Sequence, residues 1–225
     1  DVMLFLNSMS INLVDVNNGK YTVSIIADDE YIGPNIAMGH EWDGWMRNDI
    51  KTYYKEGTDI LDVGANIGYN TLMFSDYGPV SSFEPVFHQI VAKNVKQNPI
   101  KHPVNVYTCA LSNEKKKMEI FIPSHGCQSN TQINYGGTSF HLEGDMKGMS
   151  MQVPCERLDD IYEGIPSVIK IDVEHHEMQV LEGAKETIQK HMPTLLIEIH
   201  DFDNNPVAKF LEDLGYDKPD ERPEA

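Results

Sequence analysis

Acidic and imidazole side chains gather at two places where an apolar run of this chain stops. One is Ile169-Lys170-Ile171-Asp172-Val173-Glu174-His175-His176-Glu177; the other is Leu195-Leu196-Ile197-Glu198-Ile199-His200-Asp201. Each apolar run reads as a buried strand, which puts Asp172 at the sheet edge and Glu174 to His176 on the following turn and helix start. In a strand of period two, Glu198 and His200 share a face, an odd placement in an otherwise apolar run. A single histidine is usually structural or on the surface. A group of acids and histidines at one end of a sheet is what proton transfer requires. His175 and His176 lead as general bases near neutral pH, His200 follows, and Glu174 stands in the same turn. Asp172 and Glu198 either orient the base or hold a divalent cation, Mg²⁺ or Mn²⁺, that lowers a hydroxyl pKa. The residues alone leave both readings of the acid pair open.

A second pair of signals concerns a ligand. Ile60-Leu61-Asp62-Val63-Gly64-Ala65-Asn66-Ile67-Gly68 is a buried strand that ends in a glycine-containing turn and enters a helix. Such a turn lets backbone approach a ligand at the carboxyl edge of a parallel sheet. It is neither a dinucleotide fingerprint nor a phosphate loop: Gly64 and Gly68 are four apart, and no Lys-Ser/Thr pair follows. Beside the acidic Asp62, a nucleoside without phosphate suits the turn better than a pyrophosphate. Phe83-Glu84-Pro85 ends the next apolar run, sixteen residues after Gly68. A carboxylate there can accept both ribose hydroxyls.

The elements that must position these residues follow an α/β rhythm from residue 58 onward. Strands are predicted over 58–63, 80–83, 104–110, 168–173 and 194–200, and helices over 69–77, 86–97, 177–192 and 206–214. Between about 113 and 155 the rhythm breaks into an inserted hairpin, 117–122 against 149–154, with a long irregular loop. Within it Tyr135, Thr138 and Ser139, with the Gly136-Gly137 pair, are expected to close over substrate. Trp42, Trp45, Tyr135 and Phe140 could stack on the flat face of a ligand. The first 57 residues read as an N-terminal β extension, with strands over 2–6, 11–16 and 21–27 and a turn at Asn17-Asn18-Gly19. Residues 58–225 form the main body of what is expected to be one domain.

Composition narrows the partners. The 225 residues carry 18 Lys and Arg against 35 Asp and Glu, a net charge of −17. Such a surface repels nucleic acid and anionic lipid, and favours a neutral, hydroxyl-rich acceptor over a phosphorylated one. The run Lys115-Lys116-Lys117, flanked by Glu114 and Glu119, reads as a solvated turn. No apolar run is long enough to span a bilayer. Three cysteines without metal-ligand spacing suggest a reduced compartment, hence the cytoplasm. The first residue is Asp1, which reads as a chain processed, trimmed or cut from a longer polypeptide.

Six motifs in order carry a resemblance. They are Asp62-Val63-Gly64-Ala65-Asn66-Ile67-Gly68, Phe83-Glu84-Pro85, Ala110-Leu111-Ser112-Asn113, Leu158-Asp159, Ile169-Lys170-Ile171-Asp172-Val173-Glu174 and Val180-Leu181-Glu182-Gly183. Over about residues 31–216 the chain resembles the FkbM family of methyltransferases. The resemblance implies a class I (Rossmann-like) methyltransferase fold with a mostly parallel central sheet, S-adenosylmethionine as cofactor, and O-methylation of a sugar or natural-product hydroxyl. A deoxyhexose such as rhamnose or fucose would be one such acceptor. By the same resemblance Asp62, Gly64, Ala65, Asn66 and Gly68 surround the methionine and ribose. Glu84, followed by Pro85, holds the ribose diol, Ala110, Leu111 and Ser112 lie near the adenine, and Glu41 is an acid near the cofactor. Asp172 borders both cofactor and acceptor. One departure stands out: His175 occupies a position where the family usually has glycine. Spacing from related O-methyltransferases favours His175 as base, whereas the FkbM resemblance favours His176. Besides a glycan methyltransferase, two readings stay open: a methyltransferase for polyketide or lipid hydroxyls, and a non-catalytic module attached to a glycosyltransferase.

Overall fold

A computed structural model describes residues 11–123, 132–141, 148–199 and 206–217. The strand predicted over 2–6 and the candidate base His200 lie outside these residues.

The described chain opens with a hairpin, β1 (Leu13–Asn17) and β2 (Thr22–Ile26), paired antiparallel from Leu13↔Ile26 to Asn17↔Thr22. Asn17 and Asn18 shape its turn: their side-chain oxygens accept the N–H groups of Gly19, Lys20 and Tyr21. Two helices follow where none was predicted, α1 (Ile32–Ala37) and α2 (Met46–Tyr53). The Asp29 carboxylate accepts the Gly33 N–H at 2.6 Å within the first turn of α1.

The central sheet is built from β3 (Asp59–Val63), β4 (Val80–Phe83) and β5 (Val104–Tyr107), with helices α3 (Tyr69–Phe74) and α4 (His88–Gln97) between them. The stretch predicted as one strand over 104–110 divides here. After β5, Ala110–Leu111 becomes β6, which leaves the central sheet and joins an antiparallel pair, β7 (Lys116–Pro123) and β8 (Gly148–Glu156). This is the expected insertion hairpin, in register from Lys116↔Cys155 to Pro123↔Gly148. A short helix α5 (Leu158–Ile161) leads to β9 (Pro166–Ile171), then α6 (Glu177–Gly183), α7 (Lys185–His191), β10 (Thr194–Ile197) and α8 (Pro206–Asp213).

The single helix expected over 177–192 is two. Gly183 packs so close to Ser112 that a Cβ on it would stand 1.9 Å from the Ser112 carbonyl oxygen. The axis breaks at Ala184, and Asp159 caps the new start by accepting the N–H groups of Glu186 and Thr187 at 3.0 and 2.9 Å. Thus Leu158-Asp159, legible only as a motif, acts as a remote N-cap.

Strand order in the sheet is β10-β9-β3-β4-β5, every pair parallel. The central strands β3, β4 and β9 are buried on both faces, with β10 and β5 half-buried at the edges, because crossover helices cover each face. The chain steps from β3 towards β5 on one side and later returns to lay β9 and β10 on the other. The order therefore reverses at β3, and ligands of such sheets bind outside the carboxyl ends of the strands at that switch point. On one face Tyr21, Val23 and Ile36 of the N-terminal region pack with Leu72, Phe87, Ile90 and the insertion residue Tyr135. On the other, Leu181, Ile188 and Val207 pack against Leu61 and Ile169. No helix of the described residues is long and apolar enough to cross a membrane.

Candidate active site

A cavity of about 480 Å³ opens at the carboxyl ends of β3, β4 and β9, within the size range of small-molecule sites. Three separate stretches wall it: the glycine turn and strand ends of the sheet, the N-terminal residues Tyr31, Ile32 and Trp42, and the insertion residues Asn134, Gly136, Thr138, Ser139 and Phe140.

The glycine turn is held from below and from the side. Gly64 has φ +79°, and a Cβ there would meet the Asp172 carbonyl oxygen at 1.8 Å, so only glycine fits between β3 and β9. Asn66, at φ +52°, donates its N–H to Glu84 Oε2 at 2.9 Å. Glu84 Oε1 accepts the N–H groups of Val86 and Phe87 at 2.7 and 2.9 Å. Backbone thus occupies three of the carboxylate's roughly four acceptor positions. The diol expected to take both oxygens finds one position left, on Oε2. Burial pushes Glu84 up to about 7, against the pull of these N–H bonds.

Opposite the turn lie Asp172, Glu174 and Glu198, whose carboxylate oxygens come within 4.8 Å of one another. β10 ends at Ile197, before the acid, but Glu198 continues the pairing through its N–H to the Ile171 carbonyl at 3.0 Å. Burial, then the Asp172 charge and a hydrogen bond to Asp172, push Glu198 up to about 9. Like charges this close do not all ionise, and Glu198 keeps the proton.

Of the remaining expected site residues, Gly64, Ala65, Asn66, Pro85, Ala110, Leu111, Thr138 and Ser139 line the cavity. Ser139 Oγ donates to the Glu174 carbonyl at 2.7 Å, tying the insertion to the acid turn. Several expectations need correction. Asp62 is fully buried beneath the turn, accepting Thr71 Oγ1 at 2.5 Å, and does not reach the wall. Gly68 initiates α3 behind the cavity lining. Glu41 points to Arg47 Nε at 2.7 Å, outside the cavity. Tyr135 is a wedge in the core, its ring edge-on to Phe87 and its hydroxyl on Asp28. Ser112 is buried away from the lining, 3.0 Å from His176 Nε2.

The two histidines part company. His175 is exposed, lies outside the lining and has φ +70°, after Glu174 at φ +51°. The left-handed backbone explains why glycine suits this position, and it turns the leading candidate base away from the cavity. His176 lines the cavity, buried under Phe140 with ring centroids 4.7 Å apart. Burial, helped by His141 and Lys116, pulls it down to about 4, so it stands neutral. Lys170, an unmarked member of its sequence motif, is buried and lines the cavity. Tyr31 and Ile32 line the same cavity, and no local sequence pattern marks them.

A ligand crevice at the switch point of a parallel α/β sheet, with a glycine turn on one side and acids on the other, defines a methyltransferase-type site. Residues 62–218 match the Methyltransferase FkbM domain. The chain belongs to the FkbM methyltransferase family. It is 29% identical over 164 residues to the hexuronic acid methyltransferase AglP of Haloferax volcanii, covering 70% of this chain and 63% of that protein. It is 28% identical over 203 residues to the 31-O-demethyl-FK506 methyltransferase FkbM of Streptomyces tacrolimicus, covering 76% of each. A crystal structure of methyltransferase FkbM from Methylobacillus flagellatus aligns with 66% of this chain and 36% of its own, at a TM-score of 0.41 and 19% identity.

Proposed function

We propose that this methyltransferase uses S-adenosylmethionine to methylate a hydroxyl oxygen of a sugar or glycan. The observation that carries the reading is one cavity with a glycine turn and Glu84 on one side and Asp172, Glu174 and Glu198 on the other. S-adenosylmethionine, when bound, supplies an electrophilic methyl on a sulfonium. The residues fit it: the turn at Gly64 offers bare backbone, Glu84 Oε2 has room for one ribose hydroxyl, and carboxylates favour a cationic sulfur. Asn134, Thr138 and Ser139 offer hydrogen bonds to a polyol, and Trp42 and Phe140 exclude water. Alignment of the acceptor oxygen supplies several kcal/mol of barrier lowering. Asp172, paired with Lys170 at 3.1 Å, is the acid placed to take its proton, with neutral His176 as the imidazole on the same wall. The reaction is assigned to the cytoplasm, where the buried thiols Cys109 and Cys155 stay reduced. A glycosyltransferase partner on the same polypeptide fits a glycan acceptor.

A second reading adds Mg²⁺ or Mn²⁺. Three carboxylates within 4.8 Å are a hard-oxygen donor set suited to such a cation. The two readings differ in the acceptor they admit. Among the described residues lining the cavity, Lys170 is the only Lys or Arg, and Asp172 and the Gly64 carbonyl hold it. A uronate carboxylate meets four acids there and no uncommitted cation, unless a metal bridges it. Intact-mass detection of methyl gain should therefore show transfer to neutral deoxyhexosides in EDTA, and little to hexuronosides. Transfer only with added Mg²⁺ or Mn²⁺ establishes the second reading. No transfer to any sugar, with transfer to a macrolide hydroxyl, overturns the sugar assignment. No transfer at all and no binding of S-adenosylhomocysteine leaves a module without catalysis.

A further inference from the structure

β9 reads Pro-Ser-Val-Ile-Lys-Ile and is buried at every position, Lys170 included at 2% exposure. An ammonium inside a central strand is costly to desolvate, and a methionine or leucine would fill the same space. What surrounds the ammonium gives it a role. Lys170 Nζ donates to the Gly64 carbonyl oxygen at 2.9 Å and pairs with Asp172 Oδ2 at 3.1 Å, while Asp62 Oδ1 stands 3.6 Å away. Those three groups belong to the glycine turn, the acid edge and the strand beneath the turn. Burial alone would lower the lysine's pKa, but Asp172 and Asp62 outweigh it and keep the ammonium charged.

The Gly64 peptide is a pivot. Its N–H donates to the Phe83 carbonyl at 3.0 Å, fixing the turn to β4, while its carbonyl is fixed to β9 by Lys170. Across the same seam the Asp172 N–H donates to the Val63 carbonyl at 3.2 Å. Without the ammonium, the Gly64 carbonyl loses its donor and Asp62 and Asp172 face one another with no cation between them. We infer that Lys170 is a cofactor-positioning residue, an ammonium clamp that sets the Gly64–Asn66 backbone against the acid edge for S-adenosylmethionine to bind. This rests on the cofactor proposed above.

The test is calorimetry of S-adenosylhomocysteine and steady-state kinetics on Lys170→Met and Lys170→Gln, with melting temperatures recorded. Both folded variants should bind at least tenfold more weakly, and the KM for S-adenosylmethionine should rise while that for acceptor holds. A merely structural lysine would lower the folded fraction, reducing kcat and leaving both KM values in place. Binding within threefold of wild type in either folded variant overturns the clamp; if Lys170→Met does not fold, Lys170→Gln decides. Wild-type protein that fails to bind S-adenosylhomocysteine refutes the cofactor itself, a separate outcome.

Discussion

Glu84 answers to pH through its burial. Burial lifts its carboxyl to about 7, so between roughly pH 4.5 and 7 the folded chain holds a proton that the unfolded chain has released. Its contribution to stability is therefore present at low pH and fades as pH rises through 7. Ligand binding runs the other way, because a ribose hydroxyl donates to the carboxylate and not to the acid. S-adenosylhomocysteine affinity should strengthen from pH 6 to 8, with proton release on binding, and Glu84→Gln should flatten that slope. Calorimetry across that range checks it, and an equal slope in the variant would take Glu84 out of contact with the ribose. At His175 the argument is conformational. A side chain at φ +70° costs about 1 kcal/mol that glycine does not incur. His175→Gly should hold or raise stability in urea unfolding and retain methyl transfer. A fall in the chemical step of about 10²-fold would restore His175 as the base.

Among the elements, α6 shows how closely packing governs the site. Gly183 ends that helix, where alanine would ordinarily be favoured by about 1 kcal/mol. Here its methyl would meet the Ser112 carbonyl at 1.9 Å and Asn113 Cα at 3.2 Å. Gly183→Ala should destabilise by about 1–3 kcal/mol, and the shift of α6 should disturb the Ser112–His176 contact. Urea unfolding gives the sign directly, and stabilisation would show that the helix end yields easily. The strands of the sheet were readable because parallel strands buried on both faces are unbroken apolar runs, as in Asp59–Val63 and Pro166–Ile171. The helices α1 and α2 were not. Ile32-Gly33-Pro34-Asn35-Ile36-Ala37 contains two poor helix formers, and its helix exists because Ile32 and Ile36 pack into the core with β2. The glycine turn, Glu84 and the acid edge followed from position after a strand. The orientation of His175 did not, since a histidine stands where a left-handed backbone would otherwise show itself as glycine.

Taken whole, the molecule closes its pocket with parts remote in sequence. Asp29 and Ile133 form a parallel bridge, with the Ile133 N–H on the Asp28 carbonyl at 2.8 Å and the Glu30 N–H on the Ile133 carbonyl at 3.0 Å. These bonds join the N-terminal wall to the insertion wall over about a hundred residues of chain. That separation sets an order of events during synthesis. At about 5–20 residues per second, a ribosome needs roughly 5–20 s to bring the second wall out after the first. Until then Ile25, Ile36 and their neighbours have only part of the apolar surface they will finally rest on. The cavity is thus complete only once its third wall, from Lys170 to Glu198, has followed the insertion out, so Tyr31, Ile32 and Trp42 are made long before the pocket they wall.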